Sequence, residues 1–293
     1  MNERCSAPLA PPFPNSLSPL PMKTTLSLAL PTPARILKTL GVIILVLTIL
    51  SLMGQYSRFV FGHGRLLGFV PEFWLDGENN IPTYFSALLL LSSSLLLGVI
   101  AHLVRHTRDT FYRHWIGLSL IFCYLSIDEI SSLHERTIEP VRAVLGTGSV
   151  FYFAWVIPAL ALLAVFAVVY LRFFWHLPRH WKGLFAASGL VYVSGALGME
   201  LVGGWYREGL PDQNLTYAFI TTIEEVLELV GVSLFIYTLL GYLRAHVSTI
   251  TLLLDANASD PAAAPTASKQ ASSNNGQVTT KGRSTVPDAA SAS

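Results

Sequence analysis

The chain has 293 residues, 52% of them hydrophobic and 13% charged, with a formal net charge of +1. Soluble domains carry roughly 25% charged residues, so this composition excludes an ordinary soluble protein and points to a multi-pass membrane protein. The near-neutral balance leaves no electrostatic footprint for a nucleic-acid partner, and Cys5 and Cys123, one in a polar tail and one inside an apolar run, make no disulfide framework.

Residues 1–34 are rich in Pro and Ser and cannot bury a core, which predicts a disordered N-terminal tail. The apolar stretch after Met22-Lys23 is too short for a signal peptide and is broken by Pro31 and Pro33; Met22 is an alternative start. A first span is predicted over about 36–53, long enough to cross a bilayer. An outer loop, 54–82, mixes aromatic residues with Glu72, Asp76 and Glu78, as a segment lying at the interface does. Pro82 suits the first turn of the next helix.

Further spans are predicted over about 83–104, 114–134, 150–171, 183–204 and 217–243. Residues 244–293 open on a short amphipathic stretch, Val247 to Leu254, and become Ala, Ser, Thr, Asn and Pro, a second disordered tail. The expected fold class is all-α, a polytopic membrane helix bundle of about six transmembrane helices occupying 35–243. Alternate connecting segments hold 14 of the Lys and Arg residues and the others hold 5. The positive-inside rule then places both termini in the cytoplasm, and a bacterial inner membrane is the expected location.

That topology gives the charges a common depth. Asp128, Glu129 and Glu135 belong to the end of the third span, Glu200 to the end of the fifth, and Glu224, Glu225 and Glu228 to the start of the sixth. All seven fall in the outer half of the bilayer. Ionised and unpaired, they would cost about 15–25 kcal/mol on insertion scales. Arg136, Arg142 and Arg207 are too few to neutralise them, which calls for protons or a cation. In an ideal helix Asp128, Ser131, Ser132 and Glu135 share one face, whereas Glu129 and His134 flank it on opposite sides and need a neighbouring helix or a distorted helix end to join them. Ser194, Gly195, Ala196, Gly198, Gly203 and Gly204 let helices approach closely and bring Glu200 toward its neighbours.

Three site chemistries follow. In the first, Asp128, His134, Glu135, Glu224 and Glu228 bind a divalent metal ion, with His63 as an outer candidate. Such an oxygen-rich set suits Mg, Mn, Fe or Zn. Glu129, Glu200 or Glu225 is then the spare carboxylate for catalysis as general base, and the partner is a membrane lipid or lipid-linked substrate. The second is a proton- or cation-coupled transporter, which the apolar inner halves of the third and sixth spans disfavour. The third is a structural or assembly protein with a buried polar network. The other histidines and most tryptophans, Trp155 among them, are read as interfacial anchors.

Three stretches, Asp76 to Ser86, Asp128 to Glu135 and Glu224 to Gly231, resemble a set of uncharacterised bacterial multi-pass membrane proteins. These carry an Asp-Glu-x4-His-Glu box and a late Glu-Glu-x-x-Glu helix. The resemblance covers about 36–243. It implies that these residues belong together and supplies no activity.

Overall fold

The computed structural model describes residues 24–28, 31–106, 109–210, 214–246 and 250–254. Most of both predicted tails, including Cys5, Met22, and Lys and Arg residues counted for orientation, lies outside the described residues. The chain divides into a helical body, Ser27–Leu252, and a unit of the two ends. Two short strands, β1 (Thr24–Leu28) and β2 (Ile250–Leu254), pair with each other, the latter where the sequence shows its amphipathic stretch.

The body is all-α. Helix α1 (Pro33–Val60) begins with Pro33 in its first turn, where a missing N–H costs nothing. Its buried residues Ile44, Leu47, Ser51, Gly54 and Gln55 recur at three- and four-residue steps and form one stripe, while Val42, Leu45, Val46 and Met53 face outward. The helix runs past the predicted end at residue 53: Gln55 finds a buried partner in Thr222, and the Ser57 hydroxyl donates to His63 O just beyond the helix. The predicted loop 54–82 is therefore shorter than expected and contains the short helix α2 (Phe69–Phe73).

Helix α3 (Ile81–His106) is capped by Asn80, whose Oδ1 accepts from the Thr83 backbone N–H at 3.1 Å, with Pro82 in the first turn. Helix α4 (Tyr112–Ser131) packs along α3, and Ser94 and Ser119 exchange hydroxyl-to-carbonyl hydrogen bonds across that seam. After it come α5 (Ile138–Leu145), α6 (Val156–His176), α7 (Arg179–Val193), a π-helical turn (Ser194–Met199), α8 (Glu200–Arg207) and α9 (Leu215–His246).

Five helical segments among the described residues are long and apolar enough to cross a membrane: α1, α3, α6, the continuous run Arg179–Arg207, and α9. A sixth is the pair of α4 and Glu135–Leu145, bent by 76°. The chain is thus a multi-pass membrane protein. Helix α9 is its axis: it touches α1, α3, α7, the π turn and α8, and is the most enclosed of the spans.

Two apolar clusters hold the bundle. Leu97, Ile100, Trp115, Phe173, Leu239 and Leu243 close the end that carries the helix-terminal Arg and His residues; Leu47, Leu90, Leu229, Val232 and Ile236 fill the middle. The segment between α1 and α3 is fastened over the opposite end. Leu75 enters the middle cluster, Trp74 and Val70 pack on Ala218, and the Leu75 N–H donates to the Ser51 hydroxyl at 3.1 Å. The Asn80 amide donates to the Trp74 and Pro71 carbonyls, and Thr83 donates to Gly77 O at 2.7 Å.

Candidate functional site

Helix α4 ends sooner than its apolar run. Ser132 adopts a left-handed conformation (φ 46°), and its N–H donates to Asp128 O at 2.7 Å, closing the last turn. The chain doubles back, so His134 returns to the aspartate six residues before it. Asp128 accepts from the His134 backbone N–H at 3.0 Å and from Nδ1 at 2.8 Å. A carboxylate that takes Nδ1–H fixes the imidazole tautomer and makes Nε2 the basic atom. Of the two routes open to His134, a neighbouring helix or a distorted helix end, the chain takes the second, through this left-handed serine.

The imidazole lies beside Trp155, at the start of α6, with ring centroids 4.7 Å apart. Trp155 Nε1 donates to Glu200 Oε1 at 2.7 Å. Glu200 is in turn a hydrogen-bonding neighbour of Glu224 on α9. The π turn precedes Glu200, and such turns rotate the following residues relative to an α-helical register. Here Gly195 allows the approach: a β-carbon on it would fall 2.8 Å from Glu224 O and 2.9 Å from Glu228 Cγ. The small-residue stretch thus does what the sequence suggested.

A second group lies alongside. Glu129 lies within hydrogen-bonding reach of Ser86 on α3 and neighbours Asp128, with Glu225 and Glu228 of α9 close by. Tyr192 of α7, half-buried, neighbours Glu228, Glu129, Glu225 and Asp128. The fastened segment adds two carboxylates that sequence reasoning left in the loop. Asp76 is within hydrogen-bonding reach of the Thr221 hydroxyl. Asp76 keeps an exposed face, but the protein packed behind it, partly offset by Thr221 and reinforced by Glu200 and Glu135, pushes its carboxyl up to about 7. Glu78 pairs with Glu135 at the rim of a polar cavity of about 440 Å³, lined also by Ser131, Ser132 and Arg136.

The expected metal set is not assembled. Among the described residues no three His, Cys, Asp or Glu side chains are placed to hold a metal ion. The five expected ligands divide instead: Asp128 with His134, Glu135 with Glu78, Glu224 with Glu200, and Glu228 beside Glu129. The physical reason is the early end of α4, which removes Glu135 from the face of Asp128 and spends both Asp128 oxygens on His134. His63 stays at the end of α1, where its N–H donates to Ser57 O at 3.0 Å. Of the arginines counted as neutralising, Arg142 donates to Tyr152 O and Glu139, and Arg207 to Leu210 O at 3.1 Å.

Of the expected general bases, Glu200 joins the His134 side through Trp155, while Glu129 and Glu225 form the second group. Trp155 and Tyr192 were missed as members; Asp76 and Glu78 were grouped with the other stretches only through the resemblance and given no role. The signal for this acidic pair is its place ahead of an Asn-x-x-Thr helix cap. A tryptophan near a span end reads as an interfacial anchor until its partner is known.

Fold and site together define a membrane helix bundle with an acidic, histidine-bearing site at one end. The family model described as a domain of unknown function (DUF8692) matches residues 39–242, and the chain belongs to that family. No curated protein and no solved structure matches it.

Proposed function

We propose that the protein is a membrane-embedded enzyme that uses the Asp128–His134 pair for proton transfer on a lipid or lipid-linked substrate. The observation that carries this reading is the double engagement of Asp128 by the His134 N–H and Nδ1, which leaves Nε2 to take or give a proton. This is the arrangement by which a carboxylate orients a general-base histidine. Trp155 packs on the ring, and Glu200 holds Trp155. The nearby Glu78–Glu135 cavity offers polar room for a headgroup. The Lys and Arg distribution supports a bacterial inner-membrane location with both termini cytoplasmic and the site on the outer side.

The test does not depend on knowing the substrate. Wild-type protein and the His134→Ala and Asp128→Asn variants are purified in mild detergent, checked for helical content and incubated with a total membrane-lipid extract. Mass spectrometry follows the lipids. Wild type converts at least one species, and both variants lose that conversion. Identical lipid profiles for wild type and His134→Ala would sink the reading.

A proton- or cation-coupled transporter is the second reading, favoured by the carboxyl pairs Glu200–Glu224 and Glu78–Glu135, each suited to share a proton. The cluster around Leu97, Ile100, Trp115 and Leu239 stands across any route to the opposite face. Proton flux in proteoliposomes distinguishes the two readings.

A further inference from the structure

Helix α5 has no fully buried residue, and its Val144 and Leu145 are 82% and 54% exposed. At about 100° per residue, Ile138, Val141, Val144 and Leu145 fall within one arc of about 120°, and Glu139 and Ala143 lie across the helix from it. The roll of the helix is fixed. Arg142 donates to Tyr152 O and to Glu139, and its guanidinium lies over the Tyr152 ring, 5.0 Å from the centroid. Ile138 and Val141 are half-buried, so the apolar edge is held in place with its far half uncovered by protein.

The position of α5 in the chain says what lies against that edge. Helix α4 has already crossed: its 20 residues rise about 30 Å, the thickness of the hydrocarbon layer. α5 belongs to the arm bent by 76° from α4, and over its whole length it advances only about 3 Å along the α4 direction. It runs nearly flat between the end of one span, α4, and the start of another, α6, which ties it to the membrane surface from both sides. Ile116, Leu120, Tyr124, Ile127 and Ile130 of α4 are each at least 40% exposed and share one face, the face that α4 turns to lipid. The chain passes from the end of that face through the Ser132 turn into α5, so the uncovered edge continues a surface that already meets the bilayer.

We propose that α5 is an interfacial helix that rests on the bilayer at the site end of the bundle. Val144 and Leu145 sink into the boundary between headgroups and acyl chains, and Glu139 and Ala143 turn to water. Amphipathic helices with this division of faces lie in the interface plane. Eight residues give little affinity on their own, but a helix tethered to two spans needs little. The partner of this surface is the lipid interface and not a second protein. The Ser132–His134 turn then joins an arm that crosses the membrane to an arm that rests on it, and the Asp128–His134 contact is held at headgroup height. The proposal rests on the membrane topology and stands whether or not His134 transfers a proton.

The test uses full-length protein in lipid nanodiscs, with Cys5→Ser and Cys123→Ala as background and one spin label at a time on Ala143→Cys, Val144→Cys or Leu145→Cys. All three positions are exposed, so a label displaces no packed neighbour; helical content is checked before labelling counts. Collision with oxygen, which partitions into lipid, is compared with collision with a water-soluble nickel chelate. Labels on Val144→Cys and Leu145→Cys favour oxygen, and the label on Ala143→Cys favours the chelate, a reversal within one residue step. Adding His134→Ala leaves all three readings unchanged, which separates this proposal from the acid–base one. The same preference at all three positions, for either reagent, overturns the proposal. So does shielding of Val144→Cys and Leu145→Cys from both reagents, which would mean that a second copy or another protein covers the edge.

Discussion

Gly231 of α9 sits directly on the backbone of Tyr192 in α7: a β-carbon at Gly231 would fall 2.6 Å from the Tyr192 nitrogen and 2.7 Å from its Cα. Together with Gly195 against Glu228, this contact draws the two helices close enough to set Tyr192 beside the carboxylates. Backbone cannot move aside as a flexible side chain can. Gly231→Ala is expected to cost about 1–3 kcal/mol, the usual penalty for overpacking, read as a lower melting temperature in detergent. A melting temperature equal to wild type would show that the helices are not in this contact.

Trp155 and Glu200 form a pair that can be taken apart cleanly. Trp155→Phe keeps an aromatic ring beside His134 but removes the donor to Glu200, which is expected to cost about 1–3 kcal/mol. In a double-mutant cycle with Glu200→Gln the two changes are expected to couple. Additive effects would mean that the 2.7 Å contact carries no energy.

The raised carboxyl of Asp76 gives stability a pH signature. Its folded value of about 7 lies above its ordinary 3.8, so the folded protein holds this proton where the unfolded chain has lost it. Stability from this group is full below about pH 4, falls as pH rises to about 7, and is level above that. Asp76→Asn cannot ionise, so its melting temperature should gain on wild type between about pH 5 and 7 and keep that advantage at about pH 8. A constant difference across the range would remove Asp76 from the set of perturbed groups.

Catalysis provides the steepest expectation. If His134 Nε2 transfers the proton, His134→Ala lowers turnover by about 10²–10⁴-fold, the usual worth of a general base. Asp128→Asn should lower turnover too, because its amide can present the wrong atom to Nδ1. Retained turnover in His134→Ala, with the same substrate, would assign the chemistry elsewhere in the cluster.

The division of the carboxylates into pairs predicts indifference to chelation. Extended dialysis against EDTA is expected to leave both the melting temperature and turnover unchanged, with no stoichiometric metal found by elemental analysis. Loss of either property, restored by one added divalent ion, would show that the pairs close around a metal.

Five of the six predicted spans were legible because each depends on hydropathy summed over about 20 residues, which single polar residues do not upset; the third corresponds to α4 and Glu135–Leu145, a pair bent by 76°. Where helices end was less so. Gln55 looks like the start of a loop until its buried partner Thr222 on α9 is known, and nothing in Ser131-Ser132 announces a left-handed residue. The shared depth of Asp128, Glu200 and Glu224 followed from topology and corresponds to a joined site. The assignment of partners did not follow, because an ideal helical wheel carries Glu135 onto the face of Asp128 when the real helix has already stopped. Asp76 and Trp155 come from connecting segments, whose positions no periodicity encodes.

Helix α4 has one more consequence, through its length. Its 20 residues rise about 30 Å, just the thickness of a bilayer's hydrocarbon layer, yet Asp128 and Glu129 lie within its last turn. α3 and α9, with 26 and 32 residues, stand well taller around it. The Ser126 hydroxyl donates to Ala87 O, six residues into α3, so the polar end of α4 lies below the start of that helix, and a bilayer that follows its taller neighbours must dip locally to keep this end wet. Bilayer thickness then becomes a control on the protein: thicker membranes deepen the dip and raise its cost, thinner ones relieve it. Reconstitution across acyl-chain lengths should find this chain most stable in the shorter lipids.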